Sequence, residues 1–218
     1  MRVIGLTGGI GMGKSTIAAA FRRAGFPVFD ADAAVHALQA PGGKALPPIA
    51  AAFPGTVHAN SQGRLALDRP ALRALVFREP EALQRIERII HPMVRAEERR
   101  FLARARAAGK RAAVLDIPLL LETGGQRRVD LVVVVSAPRA VQVDRVRRRG
   151  RMSGAQIDAV IARQMPDRIK RRHADIVVRT GLSRLYALRT VRRVVKELFD
   201  EPFRPVRHGD HGPGPTAR

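Results

Sequence analysis

Apolar residues along the chain alternate between short continuous runs and stripes of helical spacing. Residues 2–7 (RVIGLT) read as a buried strand, and a glycine-rich turn follows. A helix is expected from about Ser15 to Ala24, with Gly25 ending it as a glycine just past a helix does. Pro27–Phe29 predicts a second short strand that delivers Asp30 and Asp32 at its end, then a helix that stops near Pro41-Gly42-Gly43. Residues 44–110 hold no convincing central strand. They predict helices around a loop near Asn60–Gly63. Leu72, Leu75 and Val76 mark one apolar face, and Leu83, Ile86, Ile90, Met93 and Val94 mark another. Pro92 is expected to kink or restart the second of these helices, because it lacks an N–H and clashes with the preceding turn.

Beyond this block the strand signal returns. Residues 112–117 (AAVLDI) read as a buried strand carrying Asp116, and 131–135 (LVVVV) as another, too continuously apolar to be half exposed. An arginine-rich helix is expected over about 138–149. A second starts at Ser153, which forms a capping box with Gln156, and Pro166 ends its pattern. Residues 175–178 (DIVV) predict a last strand. A final helix over Ser183–Phe199 turns Leu185, Leu188, Val191, Val195 and Leu198 inward. Strands alternating with helices predict an α/β fold with a doubly wound parallel sheet of about five strands, the 44–110 block being an insertion between strands. Ligands of such sheets bind at the carboxyl ends of the strands, where Asp32 and Asp116 fall.

The glycine turn carries the most specific chemistry. Gly8-Gly9-Ile10-Gly11-Met12-Gly13-Lys14-Ser15 fits G-x-x-x-x-G-K-[ST] at every fixed position, with a strand before it and a helix after it. Glycines let consecutive backbone N–H groups surround phosphate oxygens, and the helix N-terminus adds its positive dipole end. Gly11, Met12, Gly13, Lys14, Ser15 and Thr16 are therefore the expected ATP-binding residues. Lys14 reaches the β- and γ-phosphates, the Ser15 hydroxyl ligates Mg²⁺, and Thr16 hydrogen-bonds the α-phosphate. This loop alone does not separate kinases from ATPases or GTPases, although no guanine-reading N-K-x-D pattern is visible.

Composition narrows the class. The chain has 218 residues, 45% of them hydrophobic, and no cysteine, which excludes disulfides, zinc–thiolate sites and thiol chemistry. No apolar run approaches the ~20 residues of a membrane span, and the N-terminus does not read as a signal peptide. A cytoplasmic protein is expected. The formal charge of +21 comes mostly from arginines spread over the chain. It fits a nucleic-acid partner, a highly anionic small substrate or a general arginine bias. Eight Phe, one Tyr and no Trp leave few rings for base stacking, so no nucleic-acid partner is expected.

Several further segments carry a resemblance. TGGIGMGKST, Phe29-Asp30-Ala31-Asp32, Leu67-Asp68-Arg69, Val76-Phe77, Glu87 with His91-Pro92, Asp116-Ile117-Pro118-Leu119-Leu120-Leu121-Glu122, Gln142, Arg145, Arg149, Gln164 and Ala174-Asp175 follow one another in this order. The chain to about residue 198 thereby resembles the dephospho-coenzyme A kinase family. Three positions depart from its pattern. Met12 stands where serine is common and is expected to contribute mainly its backbone. Leu121 replaces a frequent phenylalanine, and Arg179-Thr180-Gly181 replaces an acidic residue and an asparagine where adenine contacts are expected.

The resemblance implies one kinase domain over 1–200, with a helical substrate subdomain at about 33–110 and a mobile helical lid at about 139–170. The tail 201–218 is expected to be disordered. The implied reaction consumes ATP and dephospho-coenzyme A, with Mg²⁺, in a monomer or weak homo-oligomer away from membranes. Asp32, at a strand end one loop from the phosphates, is assigned as the base; otherwise it is a helix N-cap. Asp116 is a substrate-side or Mg²⁺-orienting carboxylate, or else a structural turn. His91 is a substrate-side residue or a helix-break histidine. Arg145 and Arg149, four apart on one helix face, are lid arginines: Arg145 is assigned to substrate and Arg149 to the transferring phosphoryl group, against a merely solvated basic helix. A kinase of nucleosides or nucleotides, and a nucleic-acid-binding NTPase, are the alternatives.

Overall fold

The computed structural model describes residues 1–150 and 152–200. A five-stranded, wholly parallel sheet forms the centre, in the order β2-β5-β1-β6-β7. Its strands are β1 (Arg2–Thr7), β2 (Val28–Asp30), β5 (Ala112–Asp116), β6 (Leu131–Ser136) and β7 (Ile176–Arg179). β5 and β6 are buried along their whole length because both faces are covered. Ala112 and Val114 of β5 and Val133 and Val135 of β6 face α1 (Lys14–Arg23) and α9 (Arg184–Asp200), in a cluster with Phe21 and Val191. On the other face Ala113 and Leu115 pack with Leu102 and Ala105 of α5 (Pro80–Ala107), and Val132 and Val134 pack with Leu120 and Leu121. The expected doubly wound sheet is present.

The block between β2 and β5 has a core of its own. Helices α2 (Ala31–Leu38), α3 (Leu46–Ala52), α4 (Arg69–Arg78) and the first half of α5 surround Leu38, Ile49, Phe53, Leu72 and Ile90. Asp30 and Asp68 cap α2 and α4, each accepting a hydrogen bond of 2.9 Å from the backbone N–H three residues on. A small antiparallel hairpin, β3 (Val57–Ala59) and β4 (Leu65–Leu67), flanks the predicted loop. It escaped the sequence reading because three-residue strands leave too few alternating positions. Pro92 neither ends nor restarts its helix: α5 runs unbroken through it. At the start of α5, Ala82 takes the buried place and Leu83 is half exposed.

After β6 come α6 (Arg139–Arg147), α7 (Gly154–Arg163) and the short α8 (Asp167–Arg172). The capping box at the start of α7 is formed, with Ser153 N donating to Gln156 Oε1 at 2.8 Å and Gln156 N to Ser153 Oγ at 3.3 Å. In α9, Ala187, Val191 and Val194 are buried while Leu185 is 70% exposed. Leu185 lies about 120° around the helix from Val191, outside the covered stripe. Of the expectations made for the tail, all fall on residues outside those described.

Candidate active site

Strand ends converge at the carboxyl edge of the sheet. Sheet register sets Asp116 beside Leu6 on one side and Asp30 on the other. The phosphate loop leaves β1 next to them. Gly11 and Gly13 hold φ of 74° and 88°, left-handed values that cost side-chain-bearing residues 1–2 kcal/mol or so. A Cβ on Gly11 would stand 2.6 Å from the Gln142 carbonyl, so helix α6 itself closes that position to larger residues. Gly13 starts α1 without a side-chain cap, and no acidic residue occupies the first turn. The helix therefore keeps its N–H groups and its positive end for an anion.

Lys14 Nζ lies 2.5 Å from Asp116 Oδ1, and both side chains are largely buried. Burial pushes the Asp116 carboxyl above the ordinary carboxylate range; Lys14 pulls it back, while Asp30 and Asp32 push it further up. Asp32 stands exposed in the first turn of α2 and makes no hydrogen bond or ion pair with any described residue. The cap of α2 is Asp30, which leaves the Asp32 carboxylate available. His91 lies exposed in mid-α5, with no polar contact to the other candidate residues among those described.

Arg145 and Arg149 share a cavity of about 350 Å³ with Gly11, Gly13, Ser15, Thr16 and Thr180. Arg145 is fixed there, donating to Thr180 Oγ1 at 2.9 Å and to its carbonyl at 2.7 Å. Thr180 Oγ1 in turn donates to the Met12 carbonyl at 2.6 Å. Arg145 is thus tied through Thr180 to the phosphate loop. Arg148 pairs with Asp144; Arg149 is exposed and makes no ion pair among the described residues.

Met12 does more than lend its backbone. Its side chain is buried, and its Sδ accepts from Ala137 N–H at the end of β6, 3.0 Å away. The Ser15 hydroxyl is exposed at the helix start. Among the described residues no three His, Asp or Glu side chains form a metal cage. The donor set, one hydroxyl and nearby carboxylate, suits Mg²⁺, which keeps water and phosphate oxygens as most of its ligands.

Polar groups without a role in the sequence reading support this edge from below. Lys170 of α8 is 1% exposed. Its Nζ pairs with Glu122 Oε1 at 2.8 Å and donates to the Pro118 carbonyl at 3.2 Å. The same carbonyl accepts from Thr7 Oγ1 at 2.8 Å, one residue before the phosphate loop. A lysine in the arginine-rich segment RIKRRH carries no local signal of burial; only the fold brings it under the Asp116 turn.

A family model described as dephospho-CoA kinase matches residues 2–183. A dephospho-CoA kinase of Gluconobacter oxydans is 54% identical over 202 residues, covering 91% of this chain and 98% of the relative. One from Bradyrhizobium diazoefficiens is 50% identical, covering 92% and 96%. Among solved structures, TT1252 from Thermus thermophilus aligns with a TM-score of 0.75 at 35% identity, covering 89% of this chain and 95% of that one. Dephospho-CoA kinase from Campylobacter jejuni shares the fold, with a TM-score of 0.67, 24% identity and coverage of 90% and 96%. With a family model matched over most of its length and relatives of this identity and coverage, the chain belongs to the dephospho-CoA kinase family.

Proposed function

We propose that the chain transfers the γ-phosphoryl group of ATP to the ribose 3′-hydroxyl of dephospho-coenzyme A, giving coenzyme A and ADP, the last step of coenzyme A formation. The observation that carries this reading is the juxtaposition at the sheet edge: an unobstructed phosphate loop, with Lys14 and a row of three carboxylates beside it. Such an edge has a phosphate side and a hydroxyl side, which an ATPase does not need.

The chemistry follows from charge. Phosphoryl transfer passes through a loose, in-line transition state, so positioning and charge neutralisation dominate. Gly11 to Thr16 hold the phosphates through backbone N–H groups and hydroxyls. Lys14 exchanges its contact with Asp116 for the β- and γ-oxygens. Ser15, with Asp116 nearby, would hold Mg²⁺, which when bound would supply charge neutralisation at the phosphates. As the acceptor oxygen bonds to phosphorus, Asp32 takes its proton and the β–γ bridging oxygen departs with ADP. Arg149 is the free cation suited to the equatorial oxygens, and Arg145 steadies the nucleotide side through Thr180. Helices α6 to α8 serve as the lid and the block from α2 to α5 as the acceptor subdomain, with His91 on it. No helix of the described residues is long and apolar enough to cross a membrane, and we take the enzyme to act in the cytoplasm as a monomer or weak homo-oligomer.

The test is coupled ADP release with dephospho-coenzyme A against a panel of nucleosides and nucleotides. Turnover is expected with dephospho-coenzyme A at a kcat/KM far above the rest. ADP release with a nucleoside and none with dephospho-coenzyme A overturns the reading.

A further inference from the structure

Ile10 sits at the tip of the phosphate loop, and both halves of its backbone are held by side chains from distant parts of the chain. Its N–H donates to Gln164 Oε1 at 3.0 Å, and its carbonyl accepts from Gln142 Nε2 at 2.8 Å. The amide orientations are forced, since a peptide N–H only donates and a carbonyl only accepts. Gln142 is 4% exposed on α6; Gln164 caps the end of α7. A Cβ on Gly9 would lie 3.1 Å from the first amide oxygen and 3.2 Å from the second amide nitrogen, so the loop threads between the two glutamines. Arg145, Arg148 and Arg149, which line the phosphate cavity, all lie in the chain between them.

The geometry points to a clamp: Gln142 and Gln164 are positioning residues that fix the two peptides on either side of Ile10 and tie both feet of the α6–α7 hairpin to the phosphate loop. Three links make the argument. First, a loop that must wrap phosphates with consecutive N–H groups loses affinity if its own peptides are free to rotate, because ordering them then costs binding energy. Pinning the two peptides that flank Ile10 from outside leaves the inward-facing N–H groups downstream already oriented. Secondly, the Ile10 N–H belongs to the peptide shared with Gly9 and its carbonyl to the peptide shared with Gly11, so the two bonds hold two successive peptide planes, and a flip of either plane breaks the bond that holds it. Thirdly, the residues enclosed between the clamps carry the arginines. A displacement of the loop on phosphate binding is therefore transmitted to both ends of the segment that bears the cations. The inference rests on the nucleotide half of the proposed function only, not on the identity of the acceptor.

The polarity supplies the test. Four variants, Gln142→Leu, Gln142→Glu, Gln164→Leu and Gln164→Glu, are compared by calorimetric binding of MgADP and by KM for ATP in the dephospho-coenzyme A assay. Each leucine variant is expected to weaken MgADP about tenfold, as loss of a partner to a part-buried peptide group does, while KM for dephospho-coenzyme A stays as in the wild type. Gln164→Glu retains an acceptor for the Ile10 N–H and recovers most of the loss. Gln142→Glu sets a carboxylate against the Ile10 carbonyl and recovers none. Both glutamate variants add the same charge beside the same loop, so their difference isolates the hydrogen bond. Equal MgADP affinity for the two glutamate variants, or leucine variants that bind like the wild type, overturns the clamp. If buried Gln142→Glu fails to fold, the Gln164 pair and Gln142→Leu decide the matter alone. A wild type that binds MgADP without phosphorylating dephospho-coenzyme A would instead remove the proposed acceptor and leave the clamp standing.

Discussion

On the nucleotide side of the cleft each stretch of the phosphate loop is tied to a neighbour. Ile10 is held by Gln142 and Gln164, Met12 by Ala137 and Thr180, Lys14 by Asp116. On the acceptor side Asp32 and His91 stand exposed and unpartnered among the described residues, and Phe77 of α4 is 91% exposed. The first region is organised before any ligand arrives. The second presents free groups on an insertion with its own core, packed on the sheet through α5. The difference follows from what each side must recognise. Phosphates are met by rigid backbone donors, whose value depends on preorganisation. In the proposed reaction the acceptor hydroxyl is met by one carboxylate, which must stay free to take a proton.

The sharpest way to break this comparison is to neutralise the free carboxylate. Asp32→Asn is expected to lower kcat by about 10²- to 10⁴-fold, the span general-base catalysis supplies. Calorimetric MgADP binding should be unchanged, because Asp32 makes no contact with the phosphate loop. A variant with wild-type kcat would remove Asp32 from the chemistry. A variant with weakened MgADP binding would mean that the two sides of the cleft are not separable.

A smaller effect is expected from the support under the nucleotide side. Lys170→Met leaves the Glu122 carboxylate buried without its cation, and breaking a buried pair this way costs about 3–5 kcal/mol. Glu122 Oε2 already lacks a partner among the described residues, which removes any reserve. Urea denaturation of Lys170→Met, and of Lys170→Met combined with Glu122→Gln, reads this directly. The double variant should recover part of the loss. Phe77→Ser, on the exposed acceptor side, should change stability by less than about 0.5 kcal/mol. Equal losses at positions 170 and 77 would dissolve the contrast between a braced and an unbraced region.

Both regions differ as much in how they read from the sequence. The phosphate loop, the strands of the central sheet and the capping box were legible because their signals are local: fixed glycine spacing, continuous apolar runs, Ser153 three residues before Gln156. The placement of Asp32 and Asp116 at the carboxyl edge was legible because each follows or ends a short apolar run of a parallel sheet. Lys170, Thr7 and Thr180 were not, since each acts through a partner more than a hundred residues away or under a turn that only the fold creates. The hold on Arg145 was not legible for the same reason: helical spacing places it beside Arg149, but Thr180, just after β7, decides which way it is held. Pro92 does not restart the helix, as one of its two expected effects had it, because α5 is packed along its length against the insertion core and the sheet.

The smallest effect concerns the charge balance where the two regions meet. Asp116 is held above the ordinary carboxylate range chiefly by burial, with Asp30 and Asp32 adding to the rise and Lys14 opposing it. A carboxyl raised by folding binds its proton more tightly in the native chain than in the unfolded one. Its contribution to stability is therefore present at low pH and is lost as pH rises from the ordinary carboxylate range through the raised value. In the proposed mechanism activity is expected to have the opposite slope in that window, because only ionised Asp116 would serve Lys14 and Mg²⁺. Asp30→Asn is a clean probe, since asparagine caps α2 as well as aspartate does while removing one negative charge. The acid limb of kcat/KM should move to lower pH, and the stability lost across the window should shrink, both read from pH series of turnover and of urea midpoints. An acid limb that stays put would mean that burial alone sets Asp116. One that moves upward would mean that Asp30 acts on Asp116 through structure rather than charge, and the boundary between the braced and the free side would then lie at Asp30 instead of Asp32.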